Sequence, residues 1–127
     1  MYYPIQISRV GVQEMNLQVE LLEQNSVQYF KVVGEIDAFT APVLRERLAA
    51  VEDVQGLKAE LDLSEVDYMD STGLGVFVGF YKAVSANGGH VKITGLNKRL
   101  NRLFEITGLN DIIDIEQKES EDNNATL

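Results

Sequence analysis

Apolar and polar positions change their spacing several times along this chain, and each change marks an element. Leu17-Gln18-Val19-Glu20-Leu21 and Tyr29-Phe30-Lys31-Val32-Val33 read as extended segments on either side of the polar turn Glu23-Gln24-Asn25-Ser26, which predicts a β-hairpin. Thr40 is placed to cap a helix whose first turn tolerates Pro42, and Leu44, Leu48 and Val51 recur at helical spacing toward Gly56. Leu57, Ala59, Leu61 and Leu63 then alternate with Lys58, Glu60 and Asp62, the period of a strand with one dry and one wet face. After a turn, Leu74, Phe77, Val78 and Tyr81 line one stripe of a second helix that runs to about Asn87 and stops at Gly88-Gly89. A short strand over His90 to Thr94 follows. Leu100, Leu103 and Phe104 mark a third helix ending at Gly108, with Lys98, Arg99 and Arg102 on its other side. Ile112, Ile113 and Ile115 suggest a last short strand. Strands separated by helices imply right-handed crossovers. The expected fold class is α/β, a mixed and mostly parallel sheet opened by a β-hairpin, with helices packed mainly on one face.

The periodic elements all lie within residues 16–115, which form the expected domain. Residues 1–15 read as an N-terminal extension. Its Tyr2, Tyr3, Ile5 and Ile7 have no place in the pattern, and an added strand, an upstream extension and a non-native remnant all stay open. Residues 116–127 are polar, acidic and aperiodic, and are expected to form a disordered tail.

Composition narrows the function. The chain has 127 residues, enough for one sizeable core and too few for two ordinary ones. Apolar residues make up 45% and charged residues 24%, which is globular usage. A net charge of -9 argues against nucleic acid and anionic membranes, because both attractions need clustered Lys and Arg. Lys98, Arg99 and Arg102 are accordingly read as a solvated face, not a nucleic-acid site. The chain has no cysteine, hence no disulfide, thiolate nucleophile or Cys-based metal site. Apolar runs such as Gly75 to Tyr81 are far shorter than the roughly 20 residues that span a bilayer, and no basic segment followed by an apolar stretch opens the chain. A soluble, non-exported, cytoplasmic protein is expected.

The chemistry concentrates in Asp67-Tyr68-Met69-Asp70-Ser71-Thr72-Gly73-Leu74-Gly75, between the alternating strand and the second helix. Asp70 or Ser71 occupies the expected N-cap. Gly73 and Gly75 strip side chains from the first turns, so that another molecule can approach the backbone closely. Two readings stay open on residue types alone: a docking surface, or a plain cap with glycines that pack the helix on the sheet. Enzymatic readings fare worse. Gly73, Gly75 and Gly79 resemble a dinucleotide fingerprint, but Val78 stands where the third glycine belongs. No Gly-Lys-Ser/Thr phosphate loop is present, and Met69 stands where a nucleophile elbow needs glycine. A Ser-His-Asp triad would need His90, the lone histidine, to reach Ser71. Asp62, Asp67 and Asp70 could gather a divalent cation, but acidic residues after a strand are more often solvated turn formers. No metal and no cofactor is expected.

Met69 to Gly75 resembles the signature of the anti-sigma factor antagonists of the STAS family. Gly34-Glu35-Ile36-Asp37, Thr40-Ala41-Pro42, Gly88-Gly89 and Arg102-Leu103-Phe104-Glu105-Ile106-Thr107-Gly108-Leu109 resemble further family segments in the expected order, from about Met15 to Ile115. The resemblance implies a single STAS-like domain and a non-enzymatic, partner-switching role in transcription regulation and stress response. The unmodified antagonist would bind an anti-sigma factor that is also a serine kinase and so free the sigma factor. Phosphorylation on Ser71, the serine after the motif aspartate, would abolish binding, and a PP2C-type phosphatase would restore it. Asp37, Asp70, Ser71, Thr72, Gly73, Leu74 and Gly75 would form the partner-binding surface, while ATP and magnesium would belong to the kinase. The segment before Met15 exceeds the usual start, which makes Met15 a candidate initiator. The rivals are a STAS scaffold module in a larger signalling assembly, and a small esterase or phosphatase using Ser71, for which base and oxyanion groups are missing. A phosphoserine adds about 1.5 to 2 negative charges whose oxygens the free amides of a helix N-terminus accept. The fold therefore need not change on phosphorylation.

Overall fold

The computed structural model describes residues 2–3 and 17–117. The hairpin consists of β2 (Leu17–Gln24) and β3 (Val27–Ile36), with a two-residue strand β1 (Tyr2–Tyr3) at the outer edge. Asn25 and Ser26 both have positive φ, 56° and 68°, so the connection is the two-residue turn whose twist matches that of the strands. Then come α1 (Ala41–Ala49), β4 (Lys58–Met69), α2 (Ser71–Ala86), β5 (His90–Leu96), α3 (Lys98–Ile106), a 3-10 turn (Leu109–Asp111) and β6 (Asp114–Gln117). The strands lie in sequence order, β1 to β3 antiparallel and β3 to β6 parallel, and each parallel pair is joined by one helix. Crossovers of one hand along a sheet that grows in one direction deliver all three helices to the same face.

That face is the core. Val19, Phe30, Val32, Ala59, Leu61, Leu63, Val91 and Ile93 point from the sheet into one cluster with Leu44, Leu48, Phe77, Phe80, Leu100 and Phe104 from the helices. Phe30 meets Phe80 edge to face, with ring centroids 6.4 Å apart. The alternate residues Glu20, Lys31, Glu60, Asp62 and Lys92 stay half-buried on the open face, as the wet side of the Leu57–Leu63 alternation predicts. There Lys31 pairs with Glu65 and Lys92 with Glu116, each at 3.0 Å. These hydrogen bonds hold both ammonium groups above the usual lysine range.

The structure revises several sequence expectations. No turn follows Leu63: β4 runs on to Met69 through two bulges, shown by the register shifts between Lys31 and Val33 and between Gly34 and Glu35. Each bulge adds one residue to the strand, so its inward residues fall three apart at Leu63, Val66 and Met69 instead of two. The side chain of Thr40 does not cap α1; its hydroxyl donates backward to Glu35 O at 2.8 Å, and Asp37 supplies the acceptor for the entering turn. Leu74 and Phe77 are buried in α2, but Val78 and Tyr81 are half-exposed and the buried stripe continues through Phe80 and Val84. The last strand begins at Asp114, leaving Ile112 exposed.

At the ends, Tyr2 pairs with Leu22 and Tyr3 with Leu21, an added strand, whereas Ile5 and Ile7 lie outside the described residues. The boundary at residue 115 cuts β6, whose Glu116 pairs with Thr94 and Gln117 with Leu96. Residues 118–127, most of the expected tail, lie outside the described residues. We propose that residues 16–117 form the folding unit, since the buried cluster found among the described residues falls within them. That fragment should melt in one cooperative transition by circular dichroism. A broad, non-cooperative melt would show that β1 is required.

Candidate functional site

Ile36 and Met69 are register partners at the C-terminal ends of β3 and β4, and the Asp70 amide donates to Ile36 O at 3.3 Å. The loop after β3 and the start of α2 therefore sit side by side at one edge of the parallel sheet, where loops of α/β folds carry sites. Tight local bonding holds both. The Asp37 carboxylate accepts the amides of Phe39 at 2.9 Å and Thr40 at 3.1 Å, and Asp37 O accepts the Ala41 amide at 2.8 Å. Thr40, only 2% exposed, anchors the loop from below by accepting the Asp37 amide at 2.9 Å.

Across from it, Asp70 caps α2: its Oδ1 accepts the amides of Thr72 at 2.9 Å and Gly73 at 3.3 Å. This decides between the two candidates for the cap. Ser71 is the first residue of the helix and is exposed, and among the described residues its hydroxyl has no hydrogen-bond partner. The hydroxyl sits at the positive end of a sixteen-residue helix, a position whose field favours negative charge.

The two glycines differ. A Cβ on Gly73 would lie 2.7 Å from Ile36 Cγ2 and from Met69 Cγ, so Gly73 lets α2 settle onto the strand ends. A Cβ on Gly75 would meet nothing within 4 Å, and this glycine is exposed. Of the residues expected to bind a partner, Asp37, Asp70, Ser71, Thr72 and Gly75 come together with accessible surface, whereas Gly73 and Leu74 are buried, Leu74 being 7% exposed.

Two exposed aromatic residues stand at this edge outside the binding residues expected from the sequence. Phe39, 76% exposed, is presented by the Asp37 loop, and Tyr68, 45% exposed, precedes Met69 on β4. An aromatic residue held outward between the fixed Asp37 and Thr40 is the signal that sequence reading passes over. Beside them a groove of about 360 Å³ opens between the end of β4 and α3, lined by Tyr68, Met69, Arg99, Leu100, Leu103 and Ile106 among others. A depression of about 460 Å³ lies on the opposite, open face around Leu22, Tyr29, Lys31 and Glu60.

His90 is distant from all of this. It pairs with Lys58 at the start of β4 and bonds Asp114 at 3.1 Å, while Ser71 follows the far end of that twelve-residue strand, roughly 30 Å away. A triad through His90 is geometrically closed. Among the described residues no three His, Cys, Asp or Glu gather as a metal site would need, and no helix is long and apolar enough to cross a membrane.

Residues 18–122 match the STAS domain family. The anti-sigma-B factor antagonist of Bacillus subtilis (strain 168) is 49% identical over 104 residues, covering 82% of this chain and 94% of that protein. The protein of the same name from Listeria monocytogenes serovar 1/2a is 48% identical over 111 residues, covering 86% of this chain and 96% of its own length. Among solved structures, an anti-sigma factor antagonist from Mycobacterium paratuberculosis superposes with a TM-score of 0.69 at 25% identity, covering 79% of this chain and 85% of that one.

Proposed function

The chain belongs to the STAS domain family, and from that premise we propose that it is an anti-sigma factor antagonist, a binding protein and not an enzyme. In this reading the unmodified chain binds an anti-sigma factor in the cytoplasm and releases the sigma factor held there. That anti-sigma factor is also a serine kinase, which brings its own ATP and magnesium and phosphorylates Ser71. Phosphorylation ends the binding, and a PP2C-type phosphatase restores it. The observation that carries the reading is the exposed Ser71 hydroxyl at the head of α2, without a hydrogen-bond partner among the described residues and flanked by the Asp37 loop and the open Gly75.

The switch follows from charge. The surface already holds Asp37 and Asp70, and a phosphoserine adds about 1.5 to 2 negative charges where a partner must approach closely. Burying an unmatched ion costs several kcal/mol, and each 1.4 kcal/mol is about tenfold in affinity. A scaffold role is disfavoured because the two relatives, matched over 94% and 96% of their lengths, are both named anti-sigma-B factor antagonists.

The direct test mixes the unmodified chain with a preformed complex of the sigma-B and anti-sigma-B factors of Bacillus subtilis, followed by gel filtration. Free sigma factor should appear, with the chain co-eluting with the anti-sigma factor. A complex that passes through unchanged would refute the antagonist reading.

A further inference from the structure

The groove between β4 and α3 plays no part in the phosphoacceptor argument, yet it is built from the same strand end. β4 stays paired with β3 as far as Met69 but pairs with β5 only from Lys58 to Asp62. Gly95 of β5 still lies against Ser64, but residues 65–69 have no ladder partner in β5, and α3 fills that gap only in part. The floor is Met69, Leu100 and Leu103, the rim is Tyr68 with Ile106, 72% exposed, and Arg99 and Arg102 also line it. Large apolar side chains at this exposure around a concave apolar floor mark contact surfaces.

The charge is equally local. On a chain of net charge -9 with eleven Lys and Arg in all, Lys98, Arg99 and Arg102 place three cations within one and a half turns of α3. Among the described residues neither Arg99 nor Arg102 is in an ion pair. Met69 lines the groove while the next residue, Asp70, caps the helix that begins at Ser71. An occupant of the groove therefore continues directly into the surface proposed for the partner.

We infer that this groove is a second docking point for the anti-sigma factor, taking an apolar side chain of that partner flanked by carboxylates. The inference rests on the antagonist reading and adds to it. An apolar floor calls for an apolar group, and two guanidinium groups at its edge call for acidic neighbours and repel basic ones. Nucleic acid would engage the arginines but leave Ile106 and Tyr68 without a role.

Two variants of the full chain separate the contributions: the double charge reversal Arg99→Glu with Arg102→Glu, and Ile106→Ser. All three positions are exposed, so circular dichroism should show wild-type folding for both. Each is titrated against the anti-sigma-B factor of Bacillus subtilis at low and high salt, with duplex DNA as a second titrant. The charge reversal should bind the anti-sigma factor about tenfold or more weakly at low salt, with the deficit shrinking as salt screens the pairing. Ile106→Ser should bind more weakly at both salt concentrations. If the wild type binds and both variants match it, the groove inference fails while the antagonist reading stands. If the arginine variant alone loses affinity, or the loss is one for duplex DNA, the charges act without the groove and the inference also fails. A wild type that binds no anti-sigma factor overturns the antagonist reading and the groove together.

Discussion

Ser71→Asp should bind the anti-sigma factor about a hundredfold more weakly than the unmodified chain, while Ser71→Ala binds it as the wild type does. The asymmetry follows from where the side chain sits. Asp70, not Ser71, caps α2, and the Ser71 hydroxyl has no partner among the described residues. Its removal should therefore change stability by no more than about 0.5 kcal/mol. A carboxylate at the same position adds a charge beside Asp37 and Asp70, at the point of closest approach. It carries one charge where phosphoserine carries about 1.5 to 2, so the phosphorylated chain should bind more weakly still. Calorimetric titration of the three forms measures this. Intact mass after incubation with the kinase and ATP locates the acceptor: wild type and Thr72→Ala should each gain one phosphate, and Ser71→Ala none. A phosphate on Ser71→Ala but not on Thr72→Ala would move the acceptor to Thr72.

The second large effect is on stability and distinguishes two glycines that look alike in the motif. Gly73→Val should destabilise the fold by about 3 kcal/mol, the upper end of the cost of overpacking a filled core. Its Cβ alone would lie 2.7 Å from Ile36 Cγ2 and Met69 Cγ, both on buried side chains, and the valine methyls have nowhere to go. Gly75→Ala meets open space and should stabilise the helix by up to about 1 kcal/mol. The same alanine should weaken anti-sigma factor binding, because it adds a methyl group to the surface a partner approaches. Urea unfolding of both variants and titration of the second provide the check. Equal unfolding midpoints would remove the close packing of α2 on Ile36, and unchanged binding by Gly75→Ala would remove the close approach.

Local pattern determined a good deal by itself. The hairpin, the order of strands and helices, and the wet side of Lys58, Glu60 and Asp62 follow from periods of two and about 3.6, which report which face of an element is buried. Asp70 and Ser71 could be narrowed to a cap and its neighbour because capping is a bond between residues two or three apart. Tertiary contacts decided the rest. The three-residue spacing of Leu63, Val66 and Met69 reads as a broken pattern until β3 supplies the register that makes each extra residue a bulge. The α2 helix is apolar around much of its surface, so only packing selects Phe80 and Val84 over Val78 and Tyr81. Gly73 and Gly75 are identical letters, and only the presence of Ile36 beneath one of them separates a packing glycine from an open one. Nothing in the local pattern marks Phe39 and Ile106 as the exposed apolar residues they are. Their exposure is set by how far neighbouring elements extend, a property of contacts between residues distant in sequence, which periodicity does not record.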